Sequence, residues 1–101
     1  MTNAELNDNC RLIITTNGLQ TQKRKFAEEA AELFEALTEW QAAPSKKTHD
    51  HVLEELADCS VMLTQFKQWF ETDDDEIRAI MSAKVERTLK RLTIEQINLH
   101  L

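Results

Sequence analysis

Only one glycine, Gly18, and one proline, Pro44, occur in this chain of 101 residues. Tight turns draw heavily on these two residue types, so the chain has little material for hairpins and sheets. Alanine, leucine, glutamate, lysine and glutamine, all strong helix formers, are plentiful instead. The expected fold is therefore all-α: a helical bundle of four main helices in a single domain, 1–101. A chain this short buries a modest share of its surface, so assembly with further copies, as a homodimer or homotetramer, is an expected source of additional core.

The few breaks divide the chain. Asn17-Gly18 tolerates the left-handed conformation that ends helices, which predicts a first helix over 3–16 with Leu6, Cys10, Ile13 and Ile14 on one side. Thr21 is a candidate cap for a second helix running to about Gln41, with the apolar stripe Phe26, Ala30, Leu33, Leu37 and Trp40. Ala42-Ala43-Pro44-Ser45 marks the next break, and 42–48 reads as the interior loop. Thr48 or Asp50 then caps a third helix to about Phe70, with the stripe Val52, Leu56, Cys59, Leu63, Phe66 and Phe70. Thr72 and the acids at 73–76 suit the negative first turn of a fourth helix carrying Ile77, Ile80, Met81, Val85, Thr88 and Leu92. Residues 93–101 read as a short helix or as an arm packing on a neighbouring subunit.

Charge narrows the function. A net charge of −6 without a basic stripe argues against nucleic acid as a partner. No apolar run approaches the roughly 20 residues that span a bilayer, and no signal-peptide pattern opens the chain, so no membrane is expected. Cys10 and Cys59 lack a paired spacing and read as reduced thiols in a cytoplasmic protein. The acids crowd together: Glu28, Glu29, Glu32, Glu35, Glu39, Asp50, Glu54, Glu55 and Asp58 stand between Phe26 and Asp58 against Lys46 and Lys47 alone.

Within that stretch one octet occurs twice. Residues 26–33 read FAEEAAEL and residues 52–59 read VLEELADC, and they match class for class at an offset of 26. With Phe26 set at zero, Glu29 falls near about 300° and Glu32 near about 240° at ~100° per residue. Glu55 and Asp58 take the same two angles from Val52. Both pairs thus border an apolar stripe, whereas Glu35 and Glu39 fall toward the outer face. Antiparallel packing by the stripes brings the two i, i+3 pairs to one point. Like charges about 4 Å apart repel by roughly 1 kcal/mol in water and roughly 4 at an effective dielectric of 20, so a cation is called for. All-carboxylate ligation favours Mg²⁺, with Mn²⁺ as the alternative, over zinc or copper. A di-iron bundle would use Glu-x-x-His, and neither His49 nor His51 stands three residues after a glutamate. The competing reading is coincidence in a chain with 18 acids.

Basic residues gather at 23–25 and 84–91. Lys84 falls angularly between Ile77 and Ile80, Arg91 follows two turns later, and Arg87 lies just beyond Ile80. A cation on a core-facing side needs an acidic or phosphate partner, or a stem long enough to reach water. Trp40 and Trp69 suit either base stacking or packing. Asn17 and Gln20 are candidates to shape a pocket, and Lys23 and Lys25 either meet phosphates or lie on a solvated face.

Glu28-Glu29-x-x-Glu32, then 22 residues, then Glu55-x-x-Asp58 resembles the signature of the all-α nucleotide pyrophosphohydrolases. These include MazG-like proteins, dimeric dUTPases, dCTP pyrophosphatases and phosphoribosyl-ATP pyrophosphatase. The resemblance is to the short, single-domain MazG-like type and covers about 22–91. It implies hydrolysis of a nucleoside triphosphate between its α and β phosphorus atoms, giving the monophosphate and pyrophosphate. Glu29, Glu32, Glu55 and Asp58 would then hold Mg²⁺. Glu28 would orient or deprotonate water, Lys84 and Arg91 would bind substrate, and Glu54 would be a supporting or surface residue. The alternatives are phosphoribosyl-ATP pyrophosphatase itself or a non-enzymatic helical interaction module.

Overall fold

The computed structural model describes residues 1–100; Leu101, the last of the C-terminal segment considered above, lies outside the described residues. Four helices follow one another: α1 (Asn3–Asn17), α2 (Leu19–Ala42), α3 (Lys46–Trp69) and α4 (Asp74–His100). No strand occurs among the described residues, in agreement with the all-α expectation. The chain divides into two compact units, Met1–Glu71 and the residues from Thr72 onward.

In the first unit, the junctions are shorter than the sequence suggested. Thr2 caps α1 reciprocally: its Oγ1 accepts from the Glu5 amide at 3.1 Å and its own amide donates to Glu5 Oε1 at 3.3 Å. Gly18 alone joins α1 to α2. Its N–H donates to the Ile14 carbonyl at 2.8 Å and its carbonyl accepts from Gln22 at 3.1 Å. Its φ of 88° is unfavourable for any other residue, and no atom lies within 4 Å of where a Cβ would stand, so the requirement is purely one of backbone. Because the Gly18 carbonyl already starts the next ladder, α2 begins at Leu19 and Thr21 is not its cap.

Ser45, rather than Thr48 or Asp50, caps α3. Its Oγ accepts from the Thr48 amide at 3.1 Å, and Thr48 Oγ1 accepts from the Ser45 amide at 2.9 Å. Thr48 is thus the inner member of the capping box, and the expected loop over 42–48 shrinks to 43–45. The extended backbone of Ser45 directly after Pro44 sets up this early start.

α2 and α3 run antiparallel: Gln22 meets Gln65, Phe26 meets Phe66, Glu29 meets Cys59 and Glu39 meets His51. α1 lies mainly along α3 and touches α2 less, burying Cys10 and Ile14 as expected. The faces that α2 and α3 turn inward are rotated from the expected stripes. On α2 the inward line is Gln22, Phe26, Glu29, Leu33 and Ala36; on α3 it is Val52, Glu55, Cys59, Met62 and Gln65. Leu37, Trp40, Leu56, Leu63 and Phe70, placed inside by the pattern, are between 43% and 68% exposed. The chain has put acids and amides into the seam and left large apolar groups outside it.

α4 opens as anticipated. Asp73 Oδ1 accepts from the Glu76 amide at 2.8 Å, and Asp74, Asp75 and Glu76 fill the first turn. Residues 93–100 continue this helix without a break instead of forming a separate short one. Among the described residues, no helix is long and apolar enough to cross a membrane.

Candidate metal centre

The antiparallel pairing of α2 with α3 brings the two i, i+3 acid pairs together. Glu29, Glu32, Glu55 and Asp58 each offer one oxygen, and these four atoms lie within 4.8 Å of one another. The group has two layers. Glu29 and Glu55 are each 8% exposed and sit in the seam itself, while Glu32 and Asp58 are exposed at its edge. The expected border position therefore holds for Glu32 and Asp58 but not for the two glutamates, which occupy the inward line.

Each buried glutamate has one engaged oxygen. Lys25 Nζ lies 3.3 Å from Glu29 Oε1, and His51 Nε2 lies 3.3 Å from Glu55 Oε1. The other oxygen of each, Glu29 Oε2 and Glu55 Oε2, is buried without a hydrogen-bond partner. A buried carboxylate oxygen left unpaired is costly, and a bound cation removes that cost. An all-carboxylate donor set of this kind fits a hard divalent ion such as Mg²⁺ or Mn²⁺.

Cys59 packs under the same cluster, its thiol donating to the Glu29 carbonyl at 3.5 Å. Burial pushes this thiol up from its ordinary range, and Glu29, Glu55, Asp58 and Glu32 raise it further. Both effects disfavour the thiolate, the form in which cysteine ligates metals.

A cleft of about 290 Å³ opens beside Glu29 and Asp58, with Asn17, Gln22, Met62 and Gln65 among its walls. Its amides are linked: Asn17 Nδ2 donates to Gln22 Oε1 at 3.1 Å and Gln22 Nε2 donates to Gln65 Oε1 at 2.8 Å. Asn17 thus takes the place the sequence suggested, whereas Gln20 is exposed and Gln22 is the buried partner. The signal for Gln22 was its position seven residues before Glu29, on the same helix line. A broader depression of about 840 Å³ lies nearer the α2–α3 joint, walled by Glu39, Lys46, Lys47, Asp50, His51 and Glu54. It is larger but holds mixed charges and none of the four converging acids.

The remaining candidates fall elsewhere. Glu28 is exposed on α2, next to Glu29 in sequence and outside the group of four. Lys84, Arg87 and Arg91 are exposed residues of α4, in the second unit. Trp40 and Trp69 are 43% and 40% exposed, so neither is a core residue. Comparison with protein-family models, curated proteins and solved structures gives no match.

Proposed function

We propose that the chain is a Mg²⁺-dependent nucleoside triphosphate pyrophosphohydrolase of the MazG-like type, releasing a nucleoside monophosphate and pyrophosphate. The observation carrying this reading is the convergence of four carboxylates whose two buried members each keep an unpartnered oxygen. Glu29, Glu32, Glu55 and Asp58 would hold the ion, with Mn²⁺ as an alternative. Bound there, such a cation supplies charge neutralisation at phosphate oxygens and polarises water. Glu28, exposed beside Glu29, is the group to orient that water or take its proton. The resemblance would give Lys84 and Arg91, on α4, the role of substrate-binding cations. The amide-walled cleft would receive the nucleoside end of the substrate. A homodimer or homotetramer would cover apolar side chains such as Leu37, Leu56 and Leu63 that the single chain leaves exposed.

Those exposed apolar side chains also favour a second reading, a helical interaction module without catalysis. One assay separates the two. The chain is incubated with Mg²⁺ and, in turn, each ribo- and deoxyribonucleoside triphosphate and phosphoribosyl-ATP, and released phosphate species are identified. Pyrophosphate, not orthophosphate, is expected from at least one substrate. Turnover of phosphoribosyl-ATP alone would assign the chain to that specialised activity, and an untouched panel would hand the case to the interaction module.

A further inference from the structure

The duplication that unites the acids extends beyond them. At the same offset of 26 residues, Lys25 falls on His51, and the two do the same thing in space. Each stands four residues before a buried glutamate, each approaches Oε1 of that glutamate at 3.3 Å, and each leaves Oε2 buried and unpartnered. The two glutamate side chains are equally shielded, at 11% exposure apiece. The residue types differ, an ammonium on one arm and an imidazole on the other, so this is a repeat of geometry and not merely of sequence. His51 is tied further: its Nδ1 lies 3.3 Å from Glu39 Oε2, which links it across from α3 to α2.

We propose that Lys25 and His51 are a matched pair of positioning residues, each fixing one buried glutamate so that its second oxygen is presented to a divalent cation. The inference rests on the metal-site reading above. A free glutamate side chain has three rotatable bonds, and holding Oε1 against a neighbour one helical turn away removes most of that freedom. Partners behind a metal ligand commonly act in this way, and their loss typically costs about 10- to 100-fold in metal affinity or activity. The opposite role is also physically coherent: the two groups could occupy the carboxylates as stand-ins that a metal must displace. The geometry favours positioning, because each contact engages one oxygen of its glutamate and leaves the other open, on both arms.

Mn²⁺ binding by calorimetry, alongside melting curves, distinguishes these roles. Lys25→Met and His51→Leu should each weaken Mn²⁺ binding by about 10-fold or more while melting as cooperatively as the parent chain without metal. Lys25→Arg and His51→Lys, which restore a donor at the same helical step, should recover most of the affinity. A merely structural role would not give that rescue at unchanged stability. Tighter Mn²⁺ binding in Lys25→Met or His51→Leu would identify displaced stand-ins and overturn the proposal, as would unchanged binding. If the parent chain itself bound no Mn²⁺, the metal-site reading would fall and this inference with it. If the parent bound and the variants bound equally, only the positioning role would fall.

Discussion

The two seams that α3 makes inside the first unit are built from opposite materials. Against α1 it buries an apolar contact around Cys10 and Ile14, with Ile14 wholly inaccessible and the Cys10 thiol donating to the Val61 carbonyl. Against α2 it buries two glutamines and two glutamates, Gln22, Gln65, Glu29 and Glu55. The first seam lowers free energy simply by removing apolar surface from water. The second spends some of that gain on groups that are stable there only when paired, and its two unpaired oxygens are where the proposed cation would sit. One helix thus holds the unit together along one face and presents chemistry along another.

The largest expected effect breaks the second seam alone. Glu29→Gln or Glu55→Gln should lower pyrophosphate release by more than the roughly 100-fold typical of losing a partner behind a ligand, while the chain still melts cooperatively. Comparable loss of melting cooperativity would mean these acids hold the fold instead. Ile14→Ala should do the converse, destabilising by about 2–5 kcal/mol in urea titration, with Mn²⁺ affinity preserved wherever the chain remains folded. Smaller again is the effect on the amides. Gln22→Leu leaves Gln65 short of a donor and should cost about 1–3 kcal/mol, whereas Gln22→Leu with Gln65→Leu should come back close to the parent value. A double variant that stays stable but binds nucleotide poorly would assign the amide chain to recognition.

The smallest effect concerns pH. Burial raises the Cys10 and Cys59 thiols above the ordinary 9.0, Cys59 also through its four acidic neighbours. The folded chain therefore keeps these protons after the unfolded chain has lost them. Stability is complete below the ordinary thiol value and falls as pH rises through it toward the folded values. Chemical denaturation at stepped alkaline pH should show this decline, flattened in Cys59→Ala.

Fold class and the acid cluster were legible in the sequence for different reasons. Scarcity of glycine and proline leaves little but helix, and the repeated octet places Glu29, Glu32, Glu55 and Asp58 in equivalent registers whatever the exact packing. The inward face of α2 and α3 was less legible. A pattern of leucines identifies the greasiest line on a helix, yet the α2–α3 seam closes over smaller groups, Ala36 and Cys59, and over the amides. Rotation of each helix toward its acids carried Glu29 and Glu55 inward and turned Leu37, Trp40, Leu56 and Leu63 out. The α3 cap lies a few residues earlier than Thr48 or Asp50 because serine is as acceptable a cap as aspartate and better than threonine, and Ser45 has the extended backbone a cap requires. Lys25 and His51 stand just before the octets and differ in class, one permanently cationic and the other not, so a class-by-class match begins one residue too late to include them.

The joint at 43–45 has a consequence of its own. Two helical arms leave it side by side, and the acids meet roughly 15–20 Å along them, at ~1.5 Å of rise per residue. The 22-residue gap between Glu32 and Glu55 is therefore a measured length. One residue added inside either arm would shift its acids by about 1.5 Å and swing them by about 100°. The spacer acts as a ruler: apart from Ala36, Ser45 and His51, which have roles of their own, its positions should tolerate substitution far better than insertion.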